Sequence, residues 1–168
     1  MTLEHRVSTP RHQEAKPKLP VTCPCSPGFL GVLSNFPFKK IAGVECTPYF
    51  NAIALKNITA YKSQSQKCFN IESICTEASV FPIPDEKTVF YLFNPFDDQI
   101  LGQLLSNIEK SLVRRPSEIF LIYVNPRYRE LMDDAKFLKL IKEEKGYDEY
   151  TSYSLYSSNG KANNRAIE

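Results

Sequence analysis

The sequence lacks a long hydrophobic run: apolar stretches such as Val89 to Phe93 fall far short of the roughly 20 residues that a membrane-spanning helix needs. It also lacks a strong imbalance of charge, because 21 Lys and Arg stand against 19 Asp and Glu for a net charge of +2. No electrostatic footprint for DNA or RNA follows from that balance. The first ten residues carry charges where a secretory signal needs an apolar run. We therefore expect a soluble, cytoplasmic protein.

Cysteine and histidine are too few and too scattered for the sites they commonly form. Five cysteines, an odd number, do not make a disulfide framework in a chain of 168 residues that can build a core without one. Cys23 and Cys25 have no histidine and no second close cysteine pair nearby, so they predict no metal site. His5 and His12 lie in a proline-rich segment and are poorly placed for a catalytic base. We expect reduced thiols and no metal.

Proline divides the chain into regions, since five of the 12 prolines precede residue 28. That composition predicts a disordered or extended segment over residues 1–27. From Lys40 onward, short apolar runs alternate with helical periodicity, which predicts repeated β-α units and a mostly parallel sheet. We therefore expect one α/β domain over residues 28–158, a flexible tail over residues 159–168, and a monomer.

The strand and helix signals become clear after residue 39. Lys40–Glu45 is typical of a strand, and Thr47 with Pro48 is typical of the helix start that follows it. The remaining apolar runs predict largely buried strands. They cover Phe69–Cys75, Thr88–Phe93 and Glu118–Val124.

One helix and one hairpin complete the predicted domain. Leucine and isoleucine recur at helical spacing from Ile100 to Leu112, with Asp97 or Asp98 placed to cap that helix. Farther on, Phe137–Glu143 and Tyr150–Ser157 predict an antiparallel hairpin at the edge of the sheet. A helix through Ile141 is the alternative there.

Polar residues follow several predicted strands, where ligands of open parallel sheets bind. Glu45 ends the first clear strand and is suited to accept hydrogen bonds from two ribose hydroxyls, although a helix-capping carboxylate is the simpler alternative. Glu77 and Ala78 follow the second strand, where a carboxylate and a backbone N–H are suited to an adenine ring. Asn94-Pro95-Phe96 offers two fixed acceptors beside an aromatic ring, or merely a proline that stops a strand.

The order and spacing of these segments resemble a class I S-adenosylmethionine-dependent methyltransferase. The resemblance rests on G-V-E, E-A, F-P-I-P-D, Y-L-F-N-P-F-D and I-Y-V-N-P, and it covers roughly residues 36–157. It is strongest to small bacterial methyltransferase-like proteins that carry a single Asn-Pro-Phe after the fourth strand.

That resemblance implies a Rossmann-like sheet of seven strands with a reversed terminal hairpin, and S-adenosylmethionine as cofactor. Glu45 is implied to bind the ribose, and Glu77 with Ala78 the adenine. Asn94 is implied to contact the cofactor, and Asn94, Pro95 and Phe96 to line the methyl-transfer site. The methyl acceptor is not implied.

The glycine-rich turn expected in such proteins after the first strand is missing. Counting back without gaps places it over Val21–Pro27, where Cys23, Cys25 and Pro27 stand in place of glycines. Proline fixes its dihedral angle and cannot donate a hydrogen bond, so we expect weakened cofactor binding. We also expect the first strand to be degenerate or absent. Residues 1–27 then do not belong to the family in this reading frame, or the chain is a truncated member with a foreign beginning.

Two other functions stay open from the sequence. One is a non-catalytic methyltransferase-like remnant that acts as an interaction protein, which the missing turn favours. The other is a nicotinamide-binding protein, which needs the same turn and explains Asn94-Pro95-Phe96 less well. Separately, Arg127 and Arg129 are predicted on the cofactor side, where they face an acidic substrate or simply form a solvated helix face.

Overall fold

A computed structural model describes residues 18–22, 31–93, 96–147 and 151–159, and these form one seven-stranded sheet flanked by helices. The strands are β1 (Lys18–Thr22), β2 (Lys40–Glu45), β3 (Ile71–Cys75), β4 (Thr88–Phe93), β5 (Ile119–Val124), β6 (Lys139–Glu144) and β7 (Tyr153–Ser157). The helices that lie wholly within the described residues are α1 (Pro48–Ala60), α2 (Asp98–Arg114) and α3 (Arg129–Asp134), with one turn of 3₁₀ helix at Ala78–Val80.

The strands lie in the order β3-β2-β1-β4-β5-β7-β6. All neighbours from β3 to β5 pair in parallel, whereas β7 runs antiparallel to both β5 and β6. This confirms the predicted α/β fold, with a mostly parallel Rossmann-like sheet and an antiparallel hairpin at its C-terminal end. The alternative helix through Ile141 is wrong, because Ile141 lies within β6.

The expectation that the first strand is degenerate or absent is wrong. β1 occupies the middle of the sheet between β2 and β4, and it pairs with β2 from Lys18 opposite Lys40 to Thr22 opposite Val44. Its register with β4 is defined at Lys18 and Val21 only. Pro20 lies between those two positions and has no N–H to donate, which accounts for the interrupted ladder.

The half of the sheet that contains β4, β5 and the terminal hairpin, here called the β4 half, carries the main core. Asp97 caps the start of α2, because its Oδ1 accepts a hydrogen bond from the Ile100 N–H at 2.9 Å. The helix then buries an apolar stripe against alternating side chains of β4 and β5. The residues buried in this contact are Leu101, Leu104, Leu105, Ile108, Phe90, Leu92, Ile119, Leu121 and Tyr123. None of the described helices is long and apolar enough to cross a membrane.

The other half, formed by β2, β3 and α1 and here called the β2 half, buries fewer apolar side chains among the described residues. Val44 of β2 belongs to the main core. A second, smaller cluster of Leu33, Ile41 and Cys68 is contacted by Ile71 of β3 and also by Val89 and Tyr91 of β4. α1 buries Ala54 completely but leaves Tyr49 and Phe50 exposed in its first turn. The predicted helix start at Thr47 and Pro48 is confirmed, although the Thr47 side chain makes no capping bond.

Candidate functional site

Parallel strands β3, β2, β1, β4 and β5 all end at one edge of the sheet, which we call the carboxyl edge. The chain passes from β1 to β2 and β3 on one side, whereas β4 and β5 lie on the other. The direction of the connections therefore reverses between β1 and β4. In open α/β sheets the crevice at such a reversal, outside the carboxyl ends of the strands, is where ligands bind.

Glu45 lies at this edge, at the end of β2, and is half-buried. Its backbone carbonyl accepts a hydrogen bond from the Thr76 N–H at 3.1 Å, which ties the ends of β2 and β3 together. Its Oε1 accepts the Thr47 N–H at 2.9 Å, and the exposed Cys46 thiol lies 3.9 Å from the same oxygen. Among the described residues, Oε2 has no hydrogen-bond partner. The carboxylate thus orients the start of α1 with one oxygen and leaves the other open to a ligand.

Glu77 and Ala78 lie at the same edge, two and three residues beyond the end of β3. Glu77 precedes the 3₁₀ turn and is exposed, whereas Ala78 is buried. The turn is fastened to α2, because the Asn107 side-chain amide donates a hydrogen bond to the Ser79 carbonyl. The predicted adenine-binding pair therefore lies on a fixed turn next to the strand that carries Glu45.

The third predicted group follows β4. Asn94 and Pro95 lie outside the described residues, so their predicted roles stay predictions. Phe96 is half-buried and packs against the main core, while Phe93, the last residue of β4, is 46% exposed. Since β1 lies between β2 and β4, Glu45 and Phe96 flank the point where the connections reverse.

Charges differ between the two edges of the sheet. At the edge where the parallel strands begin, Lys40 pairs with Glu72 at 2.5 Å and Lys87 with Glu118 at 2.8 Å. At the carboxyl edge, neither Glu45 nor Glu77 makes an ion pair with any described residue. Carboxylates without a cation partner are suited to accept hydrogen bonds from neutral donors such as ribose hydroxyls and adenine amino groups.

The sequence did not predict a polar network that joins α3 to the terminal hairpin. The Tyr156 hydroxyl donates a hydrogen bond to Asp133 Oδ1 at 2.8 Å, and Arg129 pairs with Asp133 and Glu143. Burial, reinforced by the Asp133 carboxylate, raises the pKa of Tyr156 well above its usual value. The network holds α3 against the terminal hairpin. The spacing of Arg129 and Asp133, one helical turn apart, is the one element of it that the sequence contains.

The fold is that of solved methyltransferases. A putative methylase from Haemophilus influenzae matches over 86% of this chain and 81% of its own, with a TM-score of 0.56 and 19% identity. The N-methyltransferase NodS from Bradyrhizobium japonicum WM9 matches over 85% of each chain, with a TM-score of 0.56 and 12% identity, and has also been solved with S-adenosyl-L-homocysteine. A mutant of MtNAS matches over 88% of this chain with a TM-score of 0.58 and 13% identity, but this chain spans only 54% of its length.

No protein-family model and no curated protein matches the sequence. The structural likeness therefore establishes the fold, which is the Rossmann-like fold of methyltransferases.

Proposed function

We propose that this chain is an S-adenosylmethionine-dependent methyltransferase whose cofactor lies across the carboxyl ends of β2, β1 and β4. The observation that carries the proposal is Glu45, which ends β2 beside the reversal of the connections and keeps Oε2 without a partner among the described residues. A carboxylate in that place accepts hydrogen bonds from both hydroxyls of a ribose. Solved methyltransferases share the surrounding sheet.

Other residues at the carboxyl edge are assigned by the same proposal. Glu77 accepts a hydrogen bond from the adenine amino group, and Ala78, which is small and buried, borders the ring. Asn94 contacts the cofactor and, with Pro95 and Phe96, lines the place of methyl transfer. The half-buried Phe96 ring gives that place an apolar wall.

When bound, the cofactor would supply an electrophilic methyl group on a sulfonium centre, with S-adenosyl-L-homocysteine as the leaving product. The residues of this chain have to hold the acceptor in line with that methyl group and keep water away. Asn94 and Pro95 offer an amide oxygen and a backbone carbonyl to orient the acceptor, and Phe96 excludes water. Because positioning and desolvation supply much of the rate in such a reaction, a general base is not required.

Calorimetric titration with S-adenosyl-L-homocysteine tests the proposal, because this product cannot turn over. We expect micromolar binding by the wild type and at least about tenfold weaker binding by Glu45→Gln, a loss of roughly 1.4 kcal/mol. Glutamine retains an oxygen for the Thr47 N–H, so the start of α1 is preserved. Glu109→Gln, on the exposed surface of α2, removes the same charge away from the site and is expected to bind like the wild type.

A folded wild-type protein that releases no heat contradicts the proposal and favours the non-catalytic interaction protein. Equal weakening by Glu45→Gln and Glu109→Gln contradicts the assignment of Glu45, since it points to a general effect of charge. If binding occurs as expected, methyl transfer from labelled S-adenosylmethionine to a panel of acceptors identifies the reaction.

A further inference from the structure

Two arginines follow β5 at the carboxyl edge, and the structure separates their roles. Arg129, the first residue of α3, donates from Nε to Asp133 Oδ2 at 3.1 Å and from Nη1 to Glu143 Oε1. Its charge is thereby neutralised by two carboxylates. Arg129 is a structural residue that connects α3 to β6.

Arg127 differs from Arg129 in every one of these respects. It is exposed, and its side chain makes no ion pair with any described residue. Glu130, the nearest acid along the chain, is also exposed and does not pair with it. The guanidinium of Arg127 therefore keeps its charge and its full set of donors for a ligand.

The backbone that carries Arg127 is held in place on both sides. Asn125 is buried and adopts a φ of 50°, in the left-handed region that asparagine tolerates better than most residues. Its N–H donates to the Ser152 carbonyl and its own carbonyl accepts the Arg127 N–H, both at 2.9 Å. The Tyr128 N–H donates to the Tyr123 hydroxyl at 3.4 Å. A fixed backbone lowers the entropy that Arg127 loses when it binds a ligand.

This turn lies next to the proposed place of methyl transfer. Phe93 and Val124 are partners at the ends of β4 and β5, so the two strands end side by side. Arg127 comes three residues after Val124, and Phe96 three residues after Phe93. Arg127 is thus on the β5 side of the site, away from Glu45 and Glu77 on the β2 side.

We propose that Arg127 is a specificity-determining residue whose guanidinium binds an anionic group, a carboxylate or a phosphate, on the methyl acceptor. The inference rests on the proposed methyltransferase function and extends it to the class of acceptor. Guanidinium recognises both anions through paired hydrogen bonds in one plane, which gives orientation as well as affinity.

The test is a titration of the ¹⁵N-labelled full chain with inorganic phosphate and, separately, with acetate at constant ionic strength. The readout is the NMR position of the arginine Nε–Hε groups, recorded with and without saturating S-adenosyl-L-homocysteine. We expect one arginine resonance to shift saturably, and that resonance to be absent from Arg127→Gln. Tighter binding of phosphate indicates a phosphorylated acceptor, and tighter binding of acetate a carboxylate. Lys139→Gln, at the opposite edge of the sheet, removes one charge as a matched control and is expected to respond like the wild type.

Each of the following results overturns or supports the inference about Arg127. A shift that persists in Arg127→Gln, or that never saturates, overturns the inference. A shift that disappears once S-adenosyl-L-homocysteine is bound also overturns it, because the anion site then belongs to the cofactor. Binding of S-adenosyl-L-homocysteine without any response to phosphate or acetate overturns the assignment of Arg127 to the acceptor and leaves the proposed methyltransferase function standing. Saturable anion binding at Arg127 without cofactor binding supports the anion site and refutes the methyltransferase proposal.

Discussion

The two halves of the sheet differ in how much apolar surface they bury. The β4 half joins α2, β4, β5 and the hairpin into one continuous core that includes Ile108 and Leu121, each with 0% exposure. Among the described residues, the β2 half buries fewer apolar side chains: Ile41 lies in a small cluster that Val89 and Tyr91 of β4 also contact, and Tyr49 and Phe50 of α1 are exposed. The proposed cofactor contact Glu45 lies in the β2 half, whereas Glu77 precedes the 3₁₀ turn that Asn107 fastens to α2 of the β4 half.

We therefore expect the two halves to have different roles in ligand binding. Regions with few buried apolar contacts open at low free energy, and ligand-binding segments commonly belong to them. We expect the β4 half, with the larger core, to open least. We expect the β2 half, which holds the proposed cofactor residue Glu45, to gain more from a bound ligand, because a ligand that binds only the folded state stabilises it.

The largest expected difference between the halves concerns two isoleucines that are both almost fully buried, Ile119 in β5 and Ile41 in β2. Replacing each with alanine removes the same atoms. We expect Ile119→Ala to lower the free energy of unfolding by about 3–5 kcal/mol and Ile41→Ala by about 2–3 kcal/mol, because the thinner cluster collapses more easily around the cavity. Urea unfolding measures both. Equal losses in the free energy of unfolding, or a larger loss for Ile41→Ala, would contradict the difference between the two halves.

A smaller effect is expected from the network that fastens α3 to the hairpin. Tyr156→Phe removes the hydroxyl that donates to Asp133, so we expect unfolding to become easier by about 1.5–3 kcal/mol at neutral pH. Tyr153→Phe, on the same strand, removes the bond from the Tyr153 hydroxyl to Glu144 at the exposed surface and is expected to cost less. Urea titrations of the two variants at neutral pH give the comparison.

Tyr156 also predicts a dependence on alkaline pH. Its folded pKa is raised, chiefly by burial and then by Asp133, so its neutral form is stabilised by folding. That contribution is complete below the unfolded pKa of about 10 and is lost as pH rises beyond it toward the folded pKa. Between about pH 9 and pH 11 we expect the wild type and Tyr153→Phe to lose more stability than Tyr156→Phe. The same loss of stability in all three proteins would show that Tyr156 does not cause this dependence on pH.

The smallest of these differences concerns the starts of two helices. The Asp97 side chain caps α2, whereas the Thr47 side chain does not cap α1. We therefore expect Asp97→Ala to cost about 1 kcal/mol and Thr47→Ala only a few tenths of that amount. Thermal unfolding of both variants provides the measurement. A full capping cost at Thr47 would show that the start of α1 is held as firmly as the start of α2.

The sequence predicted the fold well where strands and helices show one regular pattern. Lys40–Glu45 and Thr88–Phe93 are strands with the predicted bounds, and Asp97 caps α2 as expected. The missed strand is β1, whose residues Lys18–Thr22 contain a proline and only two aliphatic side chains. Pairing on both sides overrides that weak local preference, since a central strand forms backbone hydrogen bonds with two neighbours.

The site was predicted less completely than the fold. Glu45, Glu77 and Ala78 are predicted as cofactor contacts from their place at or after the ends of apolar runs; the structure puts all three at the carboxyl edge, and their contact with a cofactor stays a prediction. The difference in ion pairing between Arg127 and Arg129 could not be predicted in this way. That difference depends on the ion pair between Arg129 and Glu143, which lies in another element of the fold. It also depends on the left-handed backbone of Asn125.

Hydrogen exchange of the full chain, with and without S-adenosyl-L-homocysteine, tests the central claim most directly. The claim is that a nucleoside cofactor binds at the carboxyl edge and orders the β2 half. It predicts slower exchange over residues 44–47 and 75–80, with little change in the hairpin of β6 and β7, and at least about tenfold more S-adenosyl-L-homocysteine needed for the same slowing in Glu45→Gln. Protection confined to the hairpin, or none in a folded protein, would contradict the claim.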